Sequence, residues 1–346
     1  MATSNKIHVS SDCFKLQYLI KRYREMKKLK IDLSVLQPLI ALLIMAVAMA
    51  ILSDHFATKD NLFNVARQIS VNICISVGMT MVILTGGIDL SVGSILAFTG
   101  AIAAGLLKNG IEMQGANLFI GFTLFGILWI SLAAGGFLGW FNGMMITKFK
   151  VPPFVATLAM LTIARGLTML YTKGFPITQL GDQFTFLGTG WFLGMPMPVW
   201  ISIMVIALSS FFVNKTRTGR YIYAIGGNER AALLSGVKVN KVKVVVYMIA
   251  GALAGIAGLL VTARLDSAQP NAGLGYELDS IAAVVIGGTS LSGGKGSIIG
   301  TVIGAGIIGV LNNGLVLLNV SPFWQQVIKG FVILLAVIID KIQKKK

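Results

Sequence analysis

The chain has 346 residues, 55% of them hydrophobic and only 12% charged, with a mean hydropathy of +0.81, so it carries too little polar surface to coat a water-soluble globule of that length. Its formal charge of +16 is not the footprint of a nucleic-acid partner, because the basic residues lie between long apolar runs and not on one basic and aromatic face. His8 and His55 are the only imidazoles, and Cys13 and Cys74 fall in a basic segment and an apolar run, so no catalytic residue, metal ligand or disulfide is expected.

The first 35 residues are polar and basic and show no small-residue cleavage site after the apolar run that follows, so that run is expected to stay as a membrane anchor. A helix needs roughly 17–25 apolar residues to cross about 30 Å of hydrocarbon. Leu36–Leu52, Leu118–Ile146, Pro153–Tyr171, Val244–Val261, Ile298–Leu318 and Phe323–Ile339 meet that length, and Ile69–Leu84, Val92–Leu107, Val199–Val213 and Leu278–Leu291 are shorter runs read as spans too. Ten spans put both termini on one side. The basic residues agree: 22 of the 29 fall in segments that this count places inside, and only Lys59, Arg67, Lys108, Lys173 and Arg264 fall in loops placed outside, which is the cytoplasmic bias of lysine and arginine. The expected fold is therefore an all-α polytopic bundle of about ten transmembrane helices with cytoplasmic termini. Its parts are a basic segment 1–35, a membrane domain 36–340 with a cytoplasmic loop 214–243, and a basic tail 341–346.

Glycines at four-residue spacing, Gly135, Gly139 and Gly143, Gly251 and Gly255, Gly300 and Gly304, predict closely packed helix backbones. The stretch Gly86–Gly93 is echoed by Gly287–Gly294, each copy joining two spans, and glycine-interrupted pairs of that kind point toward a transport pathway. Asp89 is expected near the interface, capping the third span through the Ser91 and Val92 amides, with a gating role as the alternative. Asn72, Thr85, Asn312 and Asn313 are polar groups in or at the ends of apolar runs, suited to interhelix hydrogen bonds or to the lining of a polar pathway. Arg165 and Lys329 are expected to snorkel from the outer ends of their spans. Trp140, Trp191, Trp200 and Trp324 fit an interfacial belt.

The loop 214–243 is too long for a turn. Asn228 can cap a short helix over Glu229–Ser235, with Glu229 at its positive start and Gly236 ending it. So short a helix needs something to pack against, either the chain's own bundle or lipid surface, or a cytoplasmic partner. Leu291-Ser292-Gly293-Gly294 superficially matches an ATPase signature, but the chain has no phosphate loop: the nearest candidate carries Thr289 and Gly296 where a glycine and a serine or threonine belong.

From Gly219 to Val237 the loop resembles that of monosaccharide permeases. So do Val82–Ser94, Ser267–Pro270, Gly275–Asp279 and Gly287–Leu291, most closely those of ribose-type permeases in the branched-chain amino acid/ribose permease superfamily. The resemblance begins near residue 36, and the first 35 residues are longer and more basic than it leads one to expect. It implies a multi-pass subunit of a bacterial inner or plasma membrane importer for ribose or a related sugar. It also implies a separate cytoplasmic ATP-binding-cassette ATPase that binds ATP and magnesium, an extracytoplasmic sugar-binding protein, and a second permease copy in a homo- or heterodimer. Carried over, it makes Gly227, Asn228, Glu229, Ala231 and Ala232 the coupling residues, and leaves Asn72, Thr85, Asp89, Asn312 and Asn313 as pathway or gating candidates. The competing reading, a self-sufficient carrier or channel, requires paired membrane carboxylates, whereas Asp89, Glu277, Asp279 and Asp340 are all expected at span ends. A membrane-embedded enzyme would need a base that two histidines do not supply.

Overall fold

The structure, a computed structural model, describes residues 33–113 and 118–344; the basic segment before residue 33, with His8 and Cys13, and the final two lysines lie outside the described residues. The helices in chain order are α1 (Leu33–Leu52), α2 (Lys59–Leu84), α3 (Val92–Asn109), α4 (Leu124–Lys148), α5 (Pro153–Thr172), α6 (Asp182–Thr189), α7 (Met197–Lys215), α8 (Arg217–Gly227), α9 (Glu229–Leu234), α10 (Val239–Leu265), α11 (Tyr276–Ile286), α12 (Ile298–Leu317) and α13 (Pro322–Lys344). Strands β1 (Ile111–Met113) and β2 (Leu118–Ile120) pair antiparallel, as do β4 (Trp191–Phe192) and β5 (Met195–Pro196), while β3 (Ile177–Thr178) reaches across the chain to β6 (Ser267–Ala268). Seven helices, α2, α3, α4, α5, α7, α10 and α12, are long and apolar enough to cross a bilayer, and Leu36–Leu52 and Pro322–Ile338 are shorter apolar stretches. The chain is a polytopic helical membrane protein.

Burial sorts these helices into an inner and an outer set. Every residue of α2 from Ser70 to Leu84 is buried, as expected of a helix that is apolar on all sides. The described parts of α10 and α12 are also largely enclosed, whereas α4, α5 and α7 turn most of their surface outward. The glycine rows explain how the inner helices come so close. A Cβ on Gly135 would meet the carbonyl of Gly251, one on Gly139 the carbonyl of Tyr247, and one on Gly251 the carbonyl of Gly135. The α4–α10 seam is thus backbone against backbone, the packing that small residues at this spacing allow. The seam between α11 and α12 is built the same way, from Gly287 against Gly300 and Gly304 against Ala283.

Three expected spans change at their edges. In the run from Leu118, the first residues form β2, and α4 begins only at Leu124, where the Thr123 hydroxyl accepts from the Gly126 N–H at 3.3 Å. Helix α2 starts ten residues before its apolar run, because Lys59, Asp60 and Arg67 join the helix beyond the core. The run Leu278–Leu291 is cut short: α11 stops at Ile286, where Gly287 caps it and Gly288 takes φ 84°, and Thr289–Ser297 forms a turn in place of a further helical stretch. Apolar content carried these readings; a threonine cap, polar continuation of the helix and, at Gly287–Gly288, glycine conformation overrode it.

Helix α10 spans between the two ends of the bundle, Lys243 and Arg264 lying about 32 Å apart along its axis. At the Arg264 end, its guanidinium donates to Asn64 Oδ1 at 3.0 Å, and Lys108 donates to the Thr178 carbonyl at 3.0 Å. Arg67 lies over the Trp191 ring, 5.1 Å from its centre. Arg165 does not snorkel. It is half-buried and donates to the carbonyls of Pro270 at 2.6 Å and Ala272 at 2.9 Å, pinning the irregular segment between β6 and α11 against α5. Charge-assisted bonds of this kind contribute about 1.5–3 kcal/mol each. Arg165→Met is expected to release that segment, measured as faster hydrogen exchange and proteolysis confined to residues 269–275, at a global cost of about 2 kcal/mol; unchanged exchange there would remove the pinning role.

Candidate functional site

The connection from α7 to α10 is built as two capped helices meeting at one residue. Thr216 closes α7 by donating to the Phe212 carbonyl at 2.6 Å and opens α8 by accepting from the Gly219 N–H at 3.1 Å. Asn228, extended at φ −159°, both ends α8, its N–H donating to the Ala224 carbonyl at 3.1 Å, and caps α9, its Oδ1 accepting from the Ala231 N–H at 3.0 Å. At the far end Gly236, at φ 83°, donates to the Leu233 carbonyl and Val237 to the Ala232 carbonyl, at 3.0 and 3.1 Å. That is the paired Schellman closure a left-handed glycine permits. The expected cap and stop are both present, and α9 is one residue shorter than Glu229–Ser235 because Ser235 serves as its C-cap. A six-residue helix has little stability of its own; here every end is satisfied.

Underneath, α8 is fixed to the bundle. Ile222 and Ile225 are buried, and the Tyr223 hydroxyl donates to the Gly296 carbonyl at 3.0 Å, its burial raising the phenol above its ordinary titration range. A Cβ on Gly226 would strike the Leu84 carbonyl and the Gly294 N–H, two groups that are themselves hydrogen-bonded at 3.0 Å. The end of α8 is therefore wedged against the turn leaving α2 and the turn leaving α11. These are the two copies of the glycine echo, and they touch. The echo is offset by one residue in structure: Gly86 has φ 79° after α2, whereas it is Gly288, not Gly287, that has φ 84° after α11.

On its other side α9 is open. Only Ala232 of this helix is buried; Gly227, Asn228, Glu229 and Ala231 are exposed, and Leu233 and Leu234 are 60% and 82% exposed. Glu229 forms an ion pair with Lys243 at 2.8 Å, tying α9 to α10. Lys243, Leu233 and Leu234 were not among the expected coupling residues. The two leucines could have been found from the helix itself, since a one-residue buried face at Ala232 leaves its neighbours outside. A cavity of about 370 Å³ lies between the Thr85–Gly87 turn, the Gly226–Glu229 junction, Lys243 and Tyr247.

The five pathway candidates do not converge. Thr85 and Asp89 follow α2 at the α8–α9 end. Asp89 is fully buried, in a turn whose Gly86 is exposed and whose Ile88 and Leu90 are partly exposed. Its Oδ1 accepts from the Ser91 N–H at 2.9 Å and hydroxyl at 2.6 Å, and Asn142 on α4 donates to the same hydroxyl at 2.9 Å. The cap thus reaches Ser91. Asp89 Oδ2 has no hydrogen-bond partner among the described residues. Asn72 is buried midway along α2. Asn313 exchanges amide hydrogen bonds with Asn61 at 2.9 and 3.0 Å, near the opposite end. Asn312 donates to Asp279 Oδ2 at 3.3 Å, and Lys329 donates to the same oxygen at 3.0 Å. Lys329 is thus engaged by a carboxylate and does not snorkel. No group of three or more metal-ligating side chains occurs among the described residues.

The sequence has counterparts among known proteins. The model of the branched-chain amino acid transport system / permease component family matches residues 61–337. The chain is 52% identical over 306 residues to the ribose import permease protein RbsC of Escherichia coli (strain K12), covering 87% of this chain and 92% of that one. It is 49% identical over 321 residues to RbsC of Bacillus subtilis (strain 168), covering 92% and 96%, and 38% identical over 303 residues to the D-allose transport system permease protein AlsC of Escherichia coli (strain K12), covering 88% and 90%. No solved structure gives a significant match. The extent of these matches, across nearly all of the described bundle, means that the chain belongs to the branched-chain amino acid transport system / permease component family.

Proposed function

We propose that this chain is the membrane subunit of an ATP-driven importer for ribose or a related monosaccharide, resident in a bacterial cell membrane and forming the translocation pathway. In this reading it crosses the bilayer ten times with both termini in the cytoplasm, α1, α11 and α13 joining the seven longer spans. Residues 36–340 form the permease domain, flanked by basic cytoplasmic segments 1–35 and 341–346, and the loop 214–243 is its coupling element. Gly227, Asn228, Glu229, Ala231 and Ala232, together with Leu233 and Leu234, dock in a cleft of a separate ATP-binding-cassette ATPase. That subunit binds ATP and magnesium, and this chain contributes no ATPase motif of its own. Asn72, Thr85, Asp89, Asn312 and Asn313 act in the pathway or its gating, the last two through interhelix contacts that change between states. A sugar-binding protein delivers cargo on the outer face, and a second permease copy, identical or closely related, completes the channel.

The observation that carries this reading is α9, a rigidly capped helix with two bare leucines, joined at Asn228 to α8, whose Gly226 is wedged against the turns that end α2 and α11. Force applied to such a helix reaches two inner spans directly, so ATPase closure can bias a two-state bundle. The high identity to ribose import permeases supports the cargo class. The test is purification from the native membrane followed by reconstitution. An ATPase and a sugar-binding protein are expected to copurify, and labelled ribose uptake to require both of them and ATP. Uptake by the isolated chain under an ion gradient would replace this reading with that of a secondary carrier.

A further inference from the structure

One stretch of irregular backbone enters the depth of the bundle. Strand β6 is tied to β3 near the Arg264 end, and from it residues 269–275 run inward until Gly273 meets Gly93, where a Cβ would strike the Gly273 carbonyl. Gly93 lies about 24 Å along α3 from Asn109. Helix α11, which follows, has 11 residues, about 16 Å of helix, so it starts roughly halfway across a hydrocarbon core of about 30 Å. Gln269 and Asn271 are exposed, and Leu274 is 63% exposed. Irregular backbone at that depth is tolerated where protein or water covers it, and not against lipid. Beside it runs a stripe of small residues on α5. Ala159, Thr162 and Gly166 are exposed and share one face by their spacing, and nothing stands within 4 Å of where a Gly166 Cβ would be. Arg165, the neighbour of Gly166, holds the carbonyls of Pro270 and Ala272, which joins stripe and segment into one face. The Thr162 hydroxyl is turned to the Ala159 carbonyl at 2.7 Å, so the stripe is smooth enough for a second helix to approach its backbone. None of these six exposed residues is charged, and the amides of Gln269 and Asn271 carry both donors and an acceptor. Such a face can pair with a copy of itself, as a two-fold interface requires.

We propose that this face, the α5 stripe together with the inward segment 269–275, is where a second copy of the chain packs about a two-fold axis. The inference rests on the importer reading, which calls for a second permease copy, and adds to it the surface that the two copies share. A second copy supplies the protein cover that exposed backbone at this depth demands. A route between the copies then borders the amides of Gln269 and Asn271, whereas a route inside one copy has to part the α4–α10 and α11–α12 seams, where backbone meets backbone.

The experiment cross-links the full permease–ATPase complex in nanodiscs through single introduced cysteines, in a Cys13→Ser background that keeps only the fully buried Cys74. A short bifunctional maleimide is expected to join two copies through Gly166→Cys and through Asn271→Cys. It should not join them through Phe211→Cys on α7, where the native side chain is 64% exposed. Gly166→Leu should weaken self-association of the full-length chain in liposomes at least tenfold, counted by single-molecule photobleaching. Its Tm should hold, because the space over Gly166 is open. Cross-linking through Phe211→Cys and not through the other two, or a transporting complex that holds one copy, would overturn the interface and leave the importer reading standing. Quenching of a fluorophore on Asn271→Cys by spin-labelled lipid would put lipid on the face and overturn it as well. Failure of the complete system, with ATPase, sugar-binding protein and ATP, to transport any monosaccharide while both cross-links form would instead sink the importer reading and keep the interface.

Discussion

Leu234→Glu and Ala231→Trp are each expected to cut ATP-driven ribose uptake and ATPase copurification at least tenfold, while membrane insertion is unchanged and Tm stays within about 2 °C. The second half of the expectation follows from exposure. Leu234 is 82% exposed and Ala231 is exposed, and surface substitutions away from caps and cores cost within about 0.5 kcal/mol, a shift of roughly 2 °C or less for a chain of this size. The first half follows from the docking role proposed for α9. A helix closed at both ends by Asn228 and Gly236 and bearing two bare leucines presents an apolar anchor, and such anchors dominate interface energetics, each costing 2 kcal/mol or more when lost. A carboxylate at Leu234 would be buried unpaired in the docked state, and an indole at Ala231 would hold the surfaces apart. Glu229→Gln is expected to have a smaller effect: it loses the ion pair to Lys243, whose Glu229 side is 56% exposed, and such pairs contribute about 0–1 kcal/mol. Full uptake with a normal complement of copurified ATPase in the Leu234→Glu variant would remove α9 as the docking element.

Some of this was legible in the sequence because it depends on local rules. Asn228 and Gly236 announce a capped helix wherever they stand at that spacing, and the glycine rows of α4, α10 and α12 announce close seams whatever helix they meet. Apolar run length found the seven helices long enough to cross a membrane but misjudged ends at Lys59, Leu124 and Ile286, where polar continuation, a threonine cap and a pair of glycines decided the boundary. What could not be read were partnerships across the chain. Nothing local couples Lys329 to Asp279, 50 residues away, or directs Arg165 to carbonyls of a segment 105 residues on. Nor does anything local announce that Asp89 is buried or that Asn142 of α4 donates to Ser91, 51 residues away. The glycine echo was visible, but its meaning was not: the two turns matter because Gly226 lies between them, and that contact joins three stretches far apart in sequence.

Lys329→Met is expected to destabilise the bundle by about 3–5 kcal/mol and to loosen α13, whereas Asp279→Leu combined with Lys329→Leu should recover most of the loss. Asp279 is 4% exposed and its Oδ2 is held by Lys329 at 3.0 Å and Asn312 at 3.3 Å. Removing the ammonium strands a buried carboxylate with one weak amide donor, the situation in which breaking a buried ion pair costs several kcal/mol. Replacing both partners by apolar groups of similar size avoids that penalty, and such exchanges are often neutral. Asp279→Asn should fall between them, because Lys329, whose side chain is 27% exposed, can swing its ammonium outward along its apolar stem. The measurement is thermal inactivation of ribose uptake together with hydrogen exchange along α13. α13 packs chiefly on α11, and its exposed Phe323, Trp324, Phe331, Leu334 and Leu335 contribute nothing to holding it within the chain. Exchange in α13 should therefore rise before exchange in α10, whose seam with α4 is closed by glycines. If the double leucine variant is no more stable than Lys329→Met, the cost lies in packing around α13 and not in the orphaned carboxylate. Recovery in the double variant with normal uptake would make the pair a fastening device alone, whereas recovery of stability without uptake would assign the charges on α11 and α13 to the moving parts of the pathway.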